Sequence, residues 1–509
     1  MNKFKRQLIS VFATAAVMAN TIAVPVAVAQ DGGNTNIVIS GNGSDANSSV
    51  NVSQTTNTVV VQNNNANITN NVDADSDTGG NKASKNTGGN VTIDTGDANT
   101  SVNVSTTANS NSANVTCCAG AGNTNVTVSG NGSDSNNTVN LNQANNTTVL
   151  QNNTANVKNK VDADADTGDN KAYKNTGGNV NITTGDADTD VNVTNELNSN
   201  SARVACCGSG NTTVNVSGNG DDSDNSVWLS DYNNTGILQN NYGRIKNYID
   251  ADADTGDNKA KKNTGGSVWI NTGDANTSVD VSNLANVNSA QVGGGDGGGK
   301  LSAYIVGNGS GSYNDIWLAL ANDTNLYQNN YLYLKNHIDA DADTGDNKAK
   351  KNTGGNVTID TGNADVDVDV NNVANFNFAD IVCCGVTDVL AKIWANGDDS
   401  DNYLNAYLAN NLYPVQDNYG RFKNKVDADA DTGDNKVKKN TGDVGGDPSI
   451  YTGEADSNVD VNNTGDVNVF GDSPDFDWPS FNFPSFGGFS LSITLDWSDF
   501  LAWWNSQQG

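Results

Sequence analysis

Three aspartates stand at alternate positions in five stretches of this chain: Asp73, Asp75 and Asp77; Asp162, Asp164 and Asp166; Asp250, Asp252 and Asp254; Asp339, Asp341 and Asp343; and Asp427, Asp429 and Asp431. In the last four, a Thr-Gly pair leads on to a fourth acid, Asp169, Asp257, Asp346 or Asp434, where the first stretch has Gly80. Carboxylates at this density are hard oxygen ligands suited to calcium, and paired acids can also move protons in catalysis. A catalytic site is usually one place in a chain, whereas these acids recur five times. No nucleophile stands beside a base, and no Gly-rich phosphate loop leads from a strand into a helix, so no enzyme is expected. A β-helix enzyme that cleaves polysaccharide is the remote alternative.

A strand holding such a stretch turns its Val or Ile, Ala, and Ala or Ser to one face and its aspartates to the other. On a flat strand those aspartates stand about 6.7 Å apart, too far for three to reach one calcium at about 2.3–2.6 Å. Chelation therefore requires ligands from a neighbouring coil or a bend, which the Thr-Gly-Asp-Asn that follows is suited to make. The pattern resembles the acidic D-x-D-x-D-G loops of EF-hand, dockerin and thrombospondin-type calcium sites, which implies Asp162, Asp164, Asp166 and Asp169, and their counterparts, as ligands. Here glycine is seventh instead of sixth, and the twelfth position is Tyr173 with no Glu. A true EF-hand is excluded; a looser calcium loop is one expectation. The other is an exposed aspartate face balanced by Lys171 and Lys174.

The elements that must hold these residues repeat with them. Asp75, Asp164, Asp252, Asp341 and Asp429 are separated by 89, 88, 89 and 88 residues, and the turn glycines Gly43, Gly132, Gly220, Gly309 and Gly397 keep the same intervals. Five tandem units follow, at 34–122, 123–210, 211–299, 300–387 and 388–470, before a distinct segment at 471–509. In the second unit NVTVSG, NTVNLNQ, NTTVLQ, NVKNKVDADAD, NVNITT and TDVNVTN read as short strands between Gly, Asn, Asp and Thr clusters. The fold class is all-β. A sandwich of this length fills its centre with large side chains, but between residues 31 and 210 Tyr173 is the one aromatic. A β-solenoid of 88–89-residue units, each contributing several coils, is therefore expected over a string of tandem β-sandwich domains. Asn70, Asn159, Asn247, Asn336 and Asn424 fall on the inward face, where a stacked asparagine ladder has a use for them.

Residues 1–29 read as a signal peptide: Lys3, Lys5 and Arg6 precede an apolar run, and Ala27-Val28-Ala29 offers a cleavage site. Removing them leaves 24 basic and 58 acidic residues, a formal net charge of −34, which repels nucleic acid and anionic lipid and attracts cations. No other stretch is long and apolar enough for a transmembrane helix. Only Glu196 and Glu454 are glutamates, and the abundance of Asp, Asn, Gly, Thr and Ser favours turns and short strands over helix.

Adjacent cysteines, Cys117-Cys118, Cys206-Cys207 and Cys383-Cys384, recur in one slot of units one, two and four. Pairs separated by several coils cannot be bridged within the chain, which leaves vicinal disulfides, free thiols or links to another chain. His337 lies where other units carry Asn71, Lys160, Tyr248 and Lys425, so it reads as a surface residue. Acidic turns such as Asp221-Asp222 and Asp398-Asp399 read as turns before ligands. Trp228, Tyr232, Tyr242, Tyr248, Tyr313, Trp317, Tyr327, Tyr331 and Tyr333 gather in units three and four, where a wider core is expected ahead of a carbohydrate-stacking surface. Half of the tryptophans, Trp478, Trp497, Trp503 and Trp504, fall in the final segment, read as a cap or an anchor.

The repeats GNGSDSNNTV, VDADADTGDNKA and NTGGNVNITTGDA resemble those of Asn-, Thr- and Gly-rich secreted repeat proteins of bacterial cell surfaces, including adhesin stalks and surface-layer components. That resemblance implies a secreted, cell-surface structural or adhesive protein. Its expected cofactor is calcium, and its expected partner a surface or matrix component, a glycan or another copy of itself. A glycan-binding module using the aromatics of units three to five is the alternative.

Overall fold

The computed structural model describes residues 17–19, 34–115, 123–205, 211–293, 300–381, 388–442 and 448–471. Every regular element among them is a strand or an isolated bridge, and every strand pairing is parallel. Each repeat contributes five strands, which in the second unit are β1 (Thr124–Ser129), β2 (Asn136–Asp166), β3 (Lys171–Tyr173), β4 (Val180–Thr183) and β5 (Ala187–Val204). Each pairs with its counterparts 88 or 89 residues away, so five parallel sheets run through all five units. The solenoid is thus present, and tandem sandwiches are excluded because no unit closes a sheet of its own.

One repeat is one coil, where several coils per repeat were expected. The stretches NTVNLNQ, NTTVLQ and NVKNKVDADAD, which look like three strands, are one 31-residue β2. Asparagine and threonine do not interrupt it, because parallel neighbours in register offer them hydrogen-bond partners. Strands flanking the cysteines are consequently one coil apart: Val115 pairs with Val204, and Val204 with Val292. The several-coil separation assumed for successive cysteine pairs does not hold; Cys117, Cys118, Cys206, Cys207, Cys383 and Cys384 themselves lie outside the described residues.

Within a coil, β1 packs beside the first part of β2, and β5 returns along its second part. β3 and β4 close the end between them. A β2 of 31 residues extends on the order of 100 Å, whereas five coils at about 4.8 Å each stack to only about 24 Å. The molecule is a thin slab, wide across its strands and short along its axis. Its interior is layered: Val, Ile, Leu and Ala clusters alternate with asparagine and glutamine.

The expected ladder forms, with Asn70 Nδ2 donating to Asn159 Oδ1 at 2.8 Å, Asn159 to Asn247 at 2.7 Å and Asn247 to Asn336 at 2.8 Å. A second network zigzags between the facing strands, from Asn64 to Asn111, Asn153, Asn200 and Asn241, each step at 2.8–3.0 Å. Buried amides paired this way add specificity of register, although Asn64 Oδ1 at the outer end of the network and Asn137 Oδ1 have no partner. Val17–Ala19, inside the segment read as a signal, forms a short strand against Thr106–Ala108 on the outer edge of coil one.

Candidate functional site

The aspartate stretches are the last residues of β2, and their parity is set by the core. Val161, Ala163 and Ala165 point inward and are at most 1 % exposed, which turns Asp162, Asp164 and Asp166 outward. Register then stacks the five stretches. Asp73, Asp162, Asp250, Asp339 and Asp427 form one column, Asp75, Asp164, Asp252, Asp341 and Asp429 a second, and Asp77, Asp166, Asp254, Asp343 and Asp431 a third. Along a column, neighbours are about 4.8 Å apart at the backbone, closer than the about 6.7 Å between columns.

Burial and the neighbouring carboxylates both oppose ionisation there. Desolvation, then Asp250 and Asp164, push Asp252 up to about 7. Desolvation pushes Asp254 up to about 7 and Asp166 and Asp343 to about 6, against the lowering effect of a hydrogen bond to each. Asp164, Asp250 and Asp341 are raised by the same causes, burial first. One carboxylate oxygen, Oδ1 of Asp252, is sealed from solvent with no hydrogen-bond partner.

The third column also shapes the turn. Asp166 Oδ1 accepts from the Gly168 N–H at 2.6 Å, and Asp77 from Gly79 at 2.7 Å. Glycine is required at this position, since a Cβ on Gly168 would run into the carbonyl oxygen of Gly256 in the next coil. The fourth acid follows in left-handed backbone, with φ of 53° at Asp169 and Asp257 and 54° at Asp346. Gly80 occupies the same conformation at φ 67°, which explains why coil one can replace the acid with glycine.

That fourth acid does not converge on the other three. Lys171 lies 3.5 Å from Asp169, and Lys259 bridges Asp169 at 3.7 Å and Asp257 at 3.3 Å. Lys348 continues the chain to Asp257 at 3.5 Å and Asp346 at 3.3 Å. Among the described residues no three His, Cys, Asp or Glu side chains gather closely enough to hold one metal ion. The stretch stays extended through its third aspartate, so it does not curl around a single ion as the loop expectation requires.

A second acidic feature was not anticipated. A groove of 590 Å3 crosses the coils at the start of β5, lined by Asp188, Asp190, Asp365, Asp367 and Asp456 among Asn, Ser and Thr. Asn276 Nδ2 donates to Asp188 Oδ1 at 2.7 Å, and Asn458 Nδ2 to Asp367 Oδ1 at 2.9 Å. The alternation in ADTD and ADVD was its signal, masked by Asn99, Ser101, Asn276 and Ser278 in other units.

The aromatics occupy outward columns of β2 and not a wider core. Trp228 and Tyr242 are 49 % and 46 % exposed, and Tyr232, Tyr313, Trp317, Tyr327 and Tyr331 are exposed too. They turn outward because the inward parity of β2 is already taken by Val227, Leu229, Ile237 and their counterparts. Tyr242, Tyr331 and Tyr419 stack at 4.9 and 5.1 Å, with interplanar angles of 1° and 8°. Stacked in this way they cover one another's faces and present edges, a poor platform for sugar rings. Tyr248 and Tyr333 are partly covered: Lys335 lies over Tyr248, and Arg244 and Arg421 over Tyr333. His337 faces outward on the same sheet and meets Tyr248 edge-on. The acidic turns before β2 hold Asp222 and Asp399 in left-handed backbone, φ 52° and 54°, a turn role. Trp478, Trp497, Trp503 and Trp504 lie outside the described residues.

Compared with protein-family models, curated proteins and solved structures, the chain matches none.

Proposed function

We propose that the protein is a secreted structural element of a bacterial surface, a slab whose aspartate columns take up calcium between coils. The observation that carries this reading is the in-register stacking of fifteen outward aspartates into three columns. Like charges repeated at about 4.8 Å oppose folding at neutral pH unless protons or cations offset them. The upward shifts at Asp252 and Asp254 and the unpartnered Asp252 oxygen are consistent with that demand. Divalent calcium would supply positive charge and accept irregular oxygen coordination. The chain's own residues hold the carboxylates in line: Val161 and the alanines fix parity, and the asparagine ladders fix register.

A glycan receptor built on the aromatic columns is the second reading, favoured by the exposure of Trp228 and Trp317. Face-covered tyrosines and the absence of any aromatic counterpart in coil one weaken it.

The test is thermal unfolding of residues 30–509 by circular dichroism in calcium, in EDTA, and in sodium chloride of matched ionic strength, with calorimetry. Calcium above matched salt should raise the midpoint, with several weakly bound ions per chain. Identical curves in all three would remove calcium from the reading.

A further inference from the structure

The fifth coil ends the described solenoid with its outer side bare. Its β2 (Asp401–Asp431) and β5 (Ala455–Phe470) pair only with coil four. Inward residues that are sealed one coil earlier lie open here. Val389, Ile393, Ile450 and Val459 are 40–45 % exposed, against 0 % for Leu301, Ile305, Ile359 and Val368 at the same positions. An edge of this length, apolar inside and with unsatisfied backbone groups, is a template for another strand.

The chain leaves from this same side. Gly471 still donates its N–H to Ala379 at 2.9 Å, and 38 residues follow it. Within them, residues 489–497 read FSLSITLDW: Phe489, Leu491, Ile493, Leu495 and Trp497 alternate with Ser490, Ser492, Thr494 and Asp496. That is the period-two pattern of the solenoid's own strands, apolar inward and polar outward. The three prolines of the segment, Pro474, Pro479 and Pro484, all precede it, so none removes a donor from the run. Extended, the 17 residues between Gly471 and Phe489 reach on the order of 55 Å, enough to turn back onto the edge.

We infer that residues 489–497 add a parallel or antiparallel strand to the open side of coil five, sealing part of its inward apolar face and stopping the slab from growing end to end. The occupant is this chain's own C-terminal segment, covalently tethered and so present at high effective concentration. A second copy docked on the same edge is the competing occupant.

Hydrogen exchange of the full chain at two protein concentrations separates them. The expected result is that, within a run of about nine residues in 401–431 or 455–470, the amides facing away from coil four exchange slowly, within about tenfold of coil four, independently of concentration. In the full-length variant carrying Leu491→Asp and Ile493→Asp, that protection should fall at least a hundredfold in coil five alone, and the protein should associate as concentration rises. Coils two and three, unchanged, certify that the variant is folded. Fast exchange of all such amides in the unaltered chain overturns the inference, as does protection that vanishes on dilution, which would assign the edge to a second copy.

Discussion

At the scale of single residues, stacking decides which side chain a position tolerates. Asn159 is fully buried, accepts from Asn70, and donates to Asn195 at 3.0 Å and Asn247 at 2.7 Å. Asn159→Ala strands several buried amide groups, and the expected loss is about 2–4 kcal/mol, read by denaturant unfolding. Gly168→Ala should be poorly tolerated because its Cβ meets the Gly256 carbonyl, whereas Gly80→Asp should change stability little, about 0.5 kcal/mol or less, since four coils hold Asp in that left-handed position. Melting midpoints of the two variants compare them directly. The Asn70 ladder was readable because it stands two residues before an inward Val. The column of Asn109, Asn198, Asn286 and Asn375 was not: it sits at φ 60–63°, where β5 breaks its alternation, and each side chain turns to reach the next. Asparagine tolerates that conformation, and nothing in a chain so rich in it marks these four.

At the scale of elements, the alternation of β2 made the all-β class and the outward aspartates legible, while its length was hidden. Polar residues at inward positions, such as Gln151 and Asn153, look like strand breaks until a neighbour one repeat away supplies their partners. The same stacking gives β2 a pH dependence. Asp166, Asp252, Asp254 and Asp343 are pushed up to about 6 or 7 from an ordinary 3.8, so the folded chain binds more protons than the unfolded chain between those values. Stability therefore falls as pH rises from about 4 to about 7, and is recovered on mild acidification. Thermal midpoints without divalent ions should be higher at pH 5 than at pH 7.5. Calcium should raise the midpoint more at pH 7.5, where the carboxylates are ionised, than at pH 5. A midpoint that rises from pH 5 to 7.5 without calcium would count against strained aspartate columns.

At the scale of the whole molecule, charge is sorted into lines along the axis. The aspartate columns are followed, past the turn, by Lys82, Lys171, Lys259, Lys348 and Lys436 in register. The 88–89-residue period was plain in the chain, but the coil it encodes was not, because a period fixes the repeat and not the number of turns within it. The site follows from that number: with several coils per repeat the five aspartate stretches would be scattered along a rod, and with one they touch. Asn51 and Asn405 are the first and last members of one outward column. Four steps of about 4.8 Å put their backbones about 19 Å apart. Spin labels attached there through a non-cysteine handle, and read by double electron–electron resonance, should report a distribution centred at roughly 20–30 Å once label length is included. A distance beyond about 60 Å, as separate domains or several coils per repeat require, would contradict the one-repeat coil and the aspartate columns with it.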